Sequence, residues 1–197
     1  MMTSYEPLEQ SFYEQPTLEL APSLLGCLLV HETPQGISSG YIVETEAYRG
    51  ALDRAAHSFN NRRTKRTEIM FHDPGHIYTY TMHRQVLLNV VSAAAGTPEA
   101  VLIRALEPKD GIPLMETRRP GRKPRELTNG PGKLCQAMGI EQVAHYGGHF
   151  TSTPLYIASG YTPEQVETGP RIGIPNAQEA KDFPWRYWVH GNRYVSK

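Results

Sequence analysis

The densest chemistry in the 197-residue sequence is Val43-Glu44-Thr45-Glu46-Ala47-Tyr48, followed nine residues later by His57. On an extended chain side chains alternate, so Glu44, Glu46 and Tyr48 project to one face and Val43, Thr45 and Ala47 to the other. Two carboxylates and a phenol on one surface allow two readings. One is a solvated strand face. The other is a general base beside an aromatic wall. Two like charges on one face raise at least one carboxyl pKa, which suits a group that takes a proton from water near neutral pH. Tyr78 and Tyr80 share a face of a second β-like run, with Thr79 and Thr81 opposite, and each tyrosine belongs either to a core or to a pocket wall. Arg104 lies inside Val101-Leu102-Ile103-Arg104-Ala105-Leu106, where a buried guanidinium is costly unless paired. Glu107 or a phosphate are the candidate partners. Asn89, within Leu87-Leu88-Asn89-Val90-Val91, either satisfies a neighbouring backbone group or reaches a ligand.

Other chemistries lack their residues. Gly130-Pro131-Gly132-Lys133-Leu134 has Leu134 where a P-loop needs Ser or Thr. The eight histidines form no H-E-x-x-H pattern, and the zinc-deaminase signature is absent. No metal site is expected. Cys27 and Cys135 form no C-x-x-C pair and read as reduced structural thiols.

The elements that must position these residues follow from local signals. Pro16 to Gly26 reads as a short helix ended by glycine. Cys27 to Glu32 and Ile37 to Tyr48 form a hairpin about the turn Pro34-Gln35-Gly36, and His76 to Met82 and Val86 to Val91 form a second about the polar link His83-Arg84-Gln85. A polar, basic stretch, 49–66, separates them. Ala100 to Ala105 is a short buried strand, Gly111 to Arg119 a helix, Arg118 to Arg125 an exposed basic loop, and Gly130 to Gly139 a helix closed by glycine. Short strands follow at Leu155 to Ala158, Arg171 to Ile174 and Trp185 to His190. Recurring hairpins favour a single α+β domain with a curved, largely antiparallel sheet, flanking helices and a protruding β-hairpin.

Lys plus Arg equals Asp plus Glu at 20 each, and taken alone that balance argues against a polyanionic partner. The balance is a cancellation. Residues 1–48 hold seven acids and no Lys or Arg, whereas residues 49–133 hold 15 bases and eight acids, a net +7. The longest apolar stretch, Leu24 to Val30, spans seven residues, far short of a transmembrane helix. Met1 to Gln15 has no basic start or apolar h-region. A cytoplasmic protein without a membrane partner is the expectation.

Read together and in order, these segments resemble the alkyladenine (3-methyladenine) DNA glycosylases. The resemblance is carried by Leu25-Gly26-Cys27-Leu28-Leu29-Val30, Ile42-Val43-Glu44-Thr45-Glu46-Ala47-Tyr48 and Asp53-Arg54-Ala55-Ala56-His57-Ser58. It continues through Met70-Phe71, Pro74-Gly75, Tyr78-Thr79-Tyr80 and Leu102-Ile103-Arg104-Ala105-Leu106-Glu107-Pro108. Asn129-Gly130-Pro131-Gly132-Lys133-Leu134 and Pro170-Arg171-Ile172-Gly173-Ile174 complete it. It implies a glycosylase domain over 17–197 after an extension, 1–16. It also implies a monofunctional hydrolase without cofactor, acting as a monomer on damaged double-stranded DNA at the nucleoid.

The roles it implies fall on residues already singled out. Glu46 matches the base that activates water, and Arg104 the residue between that base and the target nucleotide's phosphate. Tyr48, His57, Tyr80, Asn89 and Ile172 match the pocket for the flipped base. Lys133 and Arg171 match positions at the DNA backbone. Family members place a tyrosine wedge at a hairpin tip; here the stretch is Met82-His83-Arg84-Gln85, one residue shorter, with His83 the first candidate wedge, Met82 the second, and Arg84 beside them at the DNA. The alternatives are a DNA-binding module that lost the chemistry and a hydrolase of free N-glycosides. Retention of Glu46, Tyr48 and His57 speaks against the first, and the Arg118 to Arg125 cluster against the second.

Overall fold

In the computed structural model, which describes residues 5–196, two long strands pair antiparallel at the centre of the sheet: β2 (Gly36–Tyr48) and β5 (Glu99–Asp110). Outward from β5 lie β4 (Gln85–Ser92) and β3 (Ile77–Met82), and outward from β2 lie β1 (Leu28–Thr33) and β6 (Leu155–Ala158). The far end of β2 takes a different neighbour. Its residues Glu44, Thr45 and Glu46 pair with β8 (Arg186–Val189), which in turn pairs with β7 (Val166–Gly169). Irregularities in the β2–β5 register at Ser39/Gly40 and on both sides of Glu44 bend the central strands, and all pairings are antiparallel. The expected α+β domain with a curved antiparallel sheet is the observed one.

Helices cover the sheet's inner face. α2 (Thr17–Ser23) packs on β2 and β5, and α4 (Pro131–Met138) on β4 and β5. Leu20, Ala21 and Leu24 from one side and Leu134, Cys135 and Met138 from the other enter the same core with no exposed surface. The spacing of these residues, three and four apart, is the apolar stripe that a short amphipathic helix buries. Gly139 closes α4 in the left-handed region, at φ 71°. α3 (Ile112–Arg118) packs on α4, and α5 (Gln142–His145) on β3. Residues 5–16 are attached to this body. Pro7 bridges Ala158, and Tyr13 of α1 (Gln10–Tyr13) is fully buried in the core. Residues 1–4 of the expected extension, and Lys197, lie outside the described residues.

Four expectations need correction. Both hairpins turn on two residues, not three, because Gly36 already pairs with Thr33 and Gln85 with Met82; His83 and Arg84 both have positive φ, 48° and 64°. That is the requirement of a tight primed turn. The stretch from Arg171 to Ile174 is a loop, and the strand nearby is the mostly exposed β7. β5 continues five residues beyond Ala105, held by its pairing with β2. The basic loop begins later than expected. Arg118 ends α3 and donates to Ser38 Oγ at 3.0 Å and the Ala137 carbonyl at 3.1 Å, and Arg119 is buried, leaving Arg122, Lys123 and Arg125 exposed. Cys27 and Cys135 are free thiols, and no described helix is long and apolar enough to cross a membrane.

Candidate active site

The β2–β5 pairing brings Glu44, Glu46 and Arg104 together across the two strands. The glutamates share a face, as alternation requires, but it is an interior face: neither has any exposed surface. The solvated-face reading is thereby excluded. Arg104 donates from Nε to Glu44 Oε1 at 3.0 Å, and its Nη1 stands 3.3 Å from Glu46 Oε2. Its partners are thus these two carboxylates and not Glu107, which accepts from Asn192. Arg186 Nε reaches Glu44 Oε1 at 2.7 Å, so two guanidinium cations face two carboxylates in a largely buried site. That balance of charge is what makes their burial tolerable.

Glu46 is held at both oxygens. The Ile172 backbone N–H donates to Oε1 at 2.7 Å and the Tyr48 hydroxyl to Oε2 at 2.8 Å. Burial pushes the Glu46 carboxyl above the usual carboxylate range, while Arg104, the Ile172 N–H and the Tyr48 hydroxyl pull against that shift. The opposing influences describe a carboxylate kept basic without being left unpaired.

Three groups that contact Glu46, namely Tyr48, Arg104 and Ile172, also line a cavity of about 350 Å³. His57, Tyr78, Tyr80 and Asn89 line it as well. The size is that of a small-ligand pocket. His57 meets the Tyr80 ring edge to face, with centroids 4.5 Å apart, and its Nδ1 is hydrogen-bonded to the Tyr78 hydroxyl at 2.8 Å. Burial, with Arg66 and Arg62 adding repulsion, lowers the His57 pKa to about 4. Burial also raises Tyr80 to about 12. Near neutral pH these two aromatic walls are therefore uncharged. Asn89 Nδ2 donates to the Tyr78 carbonyl at 3.1 Å, as the backbone reading expects, and the residue also borders the cavity.

The remaining candidates divide. Met82 lies at the cavity mouth and is 43% exposed, and His83 and Arg84 form the exposed hairpin tip next to it. Pro131, at the start of α4, also borders the cavity; Lys133, two residues on, is half-buried and donates to Asn129 Oδ1 at 3.0 Å. Arg171 is a correction. Its side chain has no exposed surface, donates to both Asp53 oxygens at 2.6 and 2.9 Å, and caps the Ala47 and Ala180 carbonyls. It has no face to offer a DNA phosphate. Its work is internal: it fastens the 171–174 loop so that the next residue, Ile172, meets Glu46. Sequence reasoning also missed Glu44 as the buried counter-ion and Arg186 and Ser196 as its partners. Arg186 and Ser196 carry no local signal, since their contacts with Glu44 are made across more than 140 residues of sequence. Among the described residues no group of three His, Cys, Asp or Glu could hold a metal ion.

Comparison with known proteins covers nearly the whole chain. A family model described as methylpurine-DNA glycosylase matches residues 11–193. A Bacillus velezensis protein named "Putative 3-methyladenine DNA glycosylase" is 67% identical over 192 residues, which are 98% of this chain and 97% of the relative. A Bacillus subtilis protein of the same name is 66% identical over 197 residues, the full length of both. A third, from Listeria monocytogenes, is 51% identical over 96% of this chain and 92% of its own.

Proposed function

The chain belongs to the methylpurine-DNA glycosylase family, and on that premise we propose that it excises 3-methyladenine and other alkylated purines from duplex DNA, with Glu46 as the base that activates water. The observation that carries this reading is the placement of Glu46: a buried, hydrogen-bonded carboxylate directly behind the wall of an aromatic cavity.

A purine stacked in a duplex is out of reach, so the nucleotide must be extruded into a pocket at a cost of a few kcal/mol. The hairpin tip, with Met82 at the cavity mouth and His83 beyond it, is suited to fill the vacated space. Alkylation at N3 or N7 makes the purine cationic. The faces of Tyr48 and Tyr80 attract such a cation by about 0.5–2 kcal/mol. His57, holding no proton near neutral pH, adds no opposing charge. Cleavage then passes through an oxocarbenium-like state, which a nearby carboxylate stabilises while it orients the attacking water. Glu46 Oε1 accepts a single hydrogen bond, from Ile172, and so keeps a lone pair for that water. Arg104 lies between this carboxylate and the cavity, where a target phosphate would complete its coordination.

The neutral His57 also bears on substrate range. A cationic purine leaves without being protonated. Hypoxanthine and ethenoadenine are neutral and leave well only if protonated, and His57, with a pKa near 4, is a poor donor at neutral pH. Deaminated and etheno purines are therefore secondary substrates. Duplexes each carrying one modified purine, incubated with excess enzyme in EDTA, test this by the rate at which free base appears. 7-Methylguanine should be released faster than hypoxanthine or ethenoadenine, at a rate EDTA does not change. A metal requirement, or faster release of the neutral bases, would overturn the mechanism.

A further inference from the structure

Behind Glu46 lies a second buried carboxylate that the proposed hydrolysis does not use. Glu44 collects four donors: Arg104 Nε and Arg186 Nε on Oε1, the Ser196 hydroxyl on Oε1 at 2.8 Å, and the Ser196 backbone N–H on Oε2 at 2.6 Å. Ser196 follows β8 in the chain and is buried, 7% exposed. Its hydroxyl also accepts from Arg104 Nη2 at 3.3 Å, and its carbonyl from Arg186 Nη2 at 3.4 Å. Every nitrogen of the Arg104 guanidinium thus has a stated neighbour: Nε on Glu44, Nη2 on Ser196, Nη1 facing Glu46.

We propose that Ser196 is a positioning residue for base release, holding Arg104 through Glu44 so that its ion pair with Glu46 stays the single contact of Nη1 at 3.3 Å and does not close into a two-pronged one. The inference rests on Glu46 being the base. The charges explain why such a brace is needed. Two cations and two anions occupy one largely buried site, and a guanidinium free to move would seek two-pronged contact with the nearer carboxylate. A fork closed on Glu46 would occupy the lone pairs that the water needs, and Arg104 would leave the cavity wall. Glu44 prevents this by taking Nε. It can do so only while its own position is fixed, and three of the contacts that fix it come from Ser196 and Arg186. A cap that merely satisfied Glu44 would have no reason to touch Arg104 as well. The Ser196 hydroxyl does both, accepting from one and donating to the other.

Ser196→Ala removes the hydroxyl and keeps the backbone N–H, and Ser196→Thr keeps both. Under steady-state conditions on a 7-methylguanine duplex, kcat of Ser196→Ala should fall about tenfold to a hundredfold, the scale on which a misplacement of about 1 Å acts. KM should stay within about twofold, because the duplex-binding surface is untouched. The acid limb of the pH–rate profile should move, since it reports the carboxylate that Arg104 faces. Ser196→Thr should restore both rate and profile. Should Ser196→Ala melt below the assay temperature, Ser196→Cys, close in shape with a weaker donor, is read in the same way. Glu46→Gln is the parallel control. Wild-type kcat and an unmoved acid limb in Ser196→Ala, with Glu46→Gln inactive, would overturn the brace alone, whereas undiminished release by Glu46→Gln would overturn the base assignment beneath it.

Discussion

His57 and Glu46 are shifted by the same cause in opposite directions, because burial penalises whichever form is charged. For His57 the sign can be followed through to stability. Its pKa is 6.5 when exposed and about 4 in the folded protein, so between those values the unfolded chain binds more protons than the folded one. The stability that neutral His57 contributes is complete above pH 6.5 and drains away as the pH falls through that window. Thermal midpoints of wild type and His57→Asn followed from pH 8 to pH 4 should converge as the pH drops; parallel curves would show that the ring is not held neutral. Glu46 has the reverse sign: burial raises its carboxyl, so its ionised form is sustained only by Arg104, Tyr48 and the Ile172 N–H. The residues of this constellation were legible because strand alternation sets Glu44, Glu46 and Tyr48 on one face. Their burial was not. It depends on β8 and on the 171–174 loop, which arrive more than 120 residues later.

At the scale of elements, the link that matters most is between the end of β2 and that loop. Asp53 and Arg171 form a buried pair, with Arg171 lying over the Tyr48 ring at 4.7 Å and the Trp185 ring at 5.0 Å. Removing one partner strands the other's charge, so Arg171→Ala should destabilise the protein by about 3–5 kcal/mol, read by denaturant unfolding. Binding of a duplex at rising salt separates this internal role from a phosphate contact. The salt slope should be unchanged in the variant, whereas loss of a phosphate contact would reduce it by about one. The loop was misread as a strand because Ile172-Gly173-Ile174 has an apolar alternation, yet its conformation is set by the distant Asp53 anchor. β7 escaped notice for the opposite reason: it is mostly exposed and carries no apolar pattern. The hairpins, by contrast, were plain from their aromatic and β-branched runs. Their turns differed, each being one residue tighter than expected, and neither His83 nor Arg84 is a residue type that announces a positive φ.

For the whole molecule, the zero net charge conceals where the charges are spent. Of the bases in residues 49–133, Arg104 and Arg119 are buried, Arg118 and Lys133 are half-buried and donate inward, and Arg49, Arg54, Arg62, Arg63, Lys65, Arg66, Arg84, Lys109, Arg122, Lys123 and Arg125 are exposed. Arg66 lies over the Tyr80 ring at 5.9 Å, so part of this exposed charge stands beside a residue of the cavity wall. A locally basic surface on a neutral protein suits a modest, salt-sensitive attraction for DNA, with recognition left to the pocket. Counting charges in windows located the basic region but overstated it, because a count does not distinguish a guanidinium closed on a carboxylate from one in solvent. The account as a whole stands on Glu46. Its most direct test is single-turnover release of 7-methylguanine from a duplex by Glu46→Gln, with affinity for the same duplex measured in parallel. The account predicts affinity within about threefold of wild type and release reduced by about 10²-fold or more, the scale of losing a positioned general base. Release at the wild-type rate would contradict it.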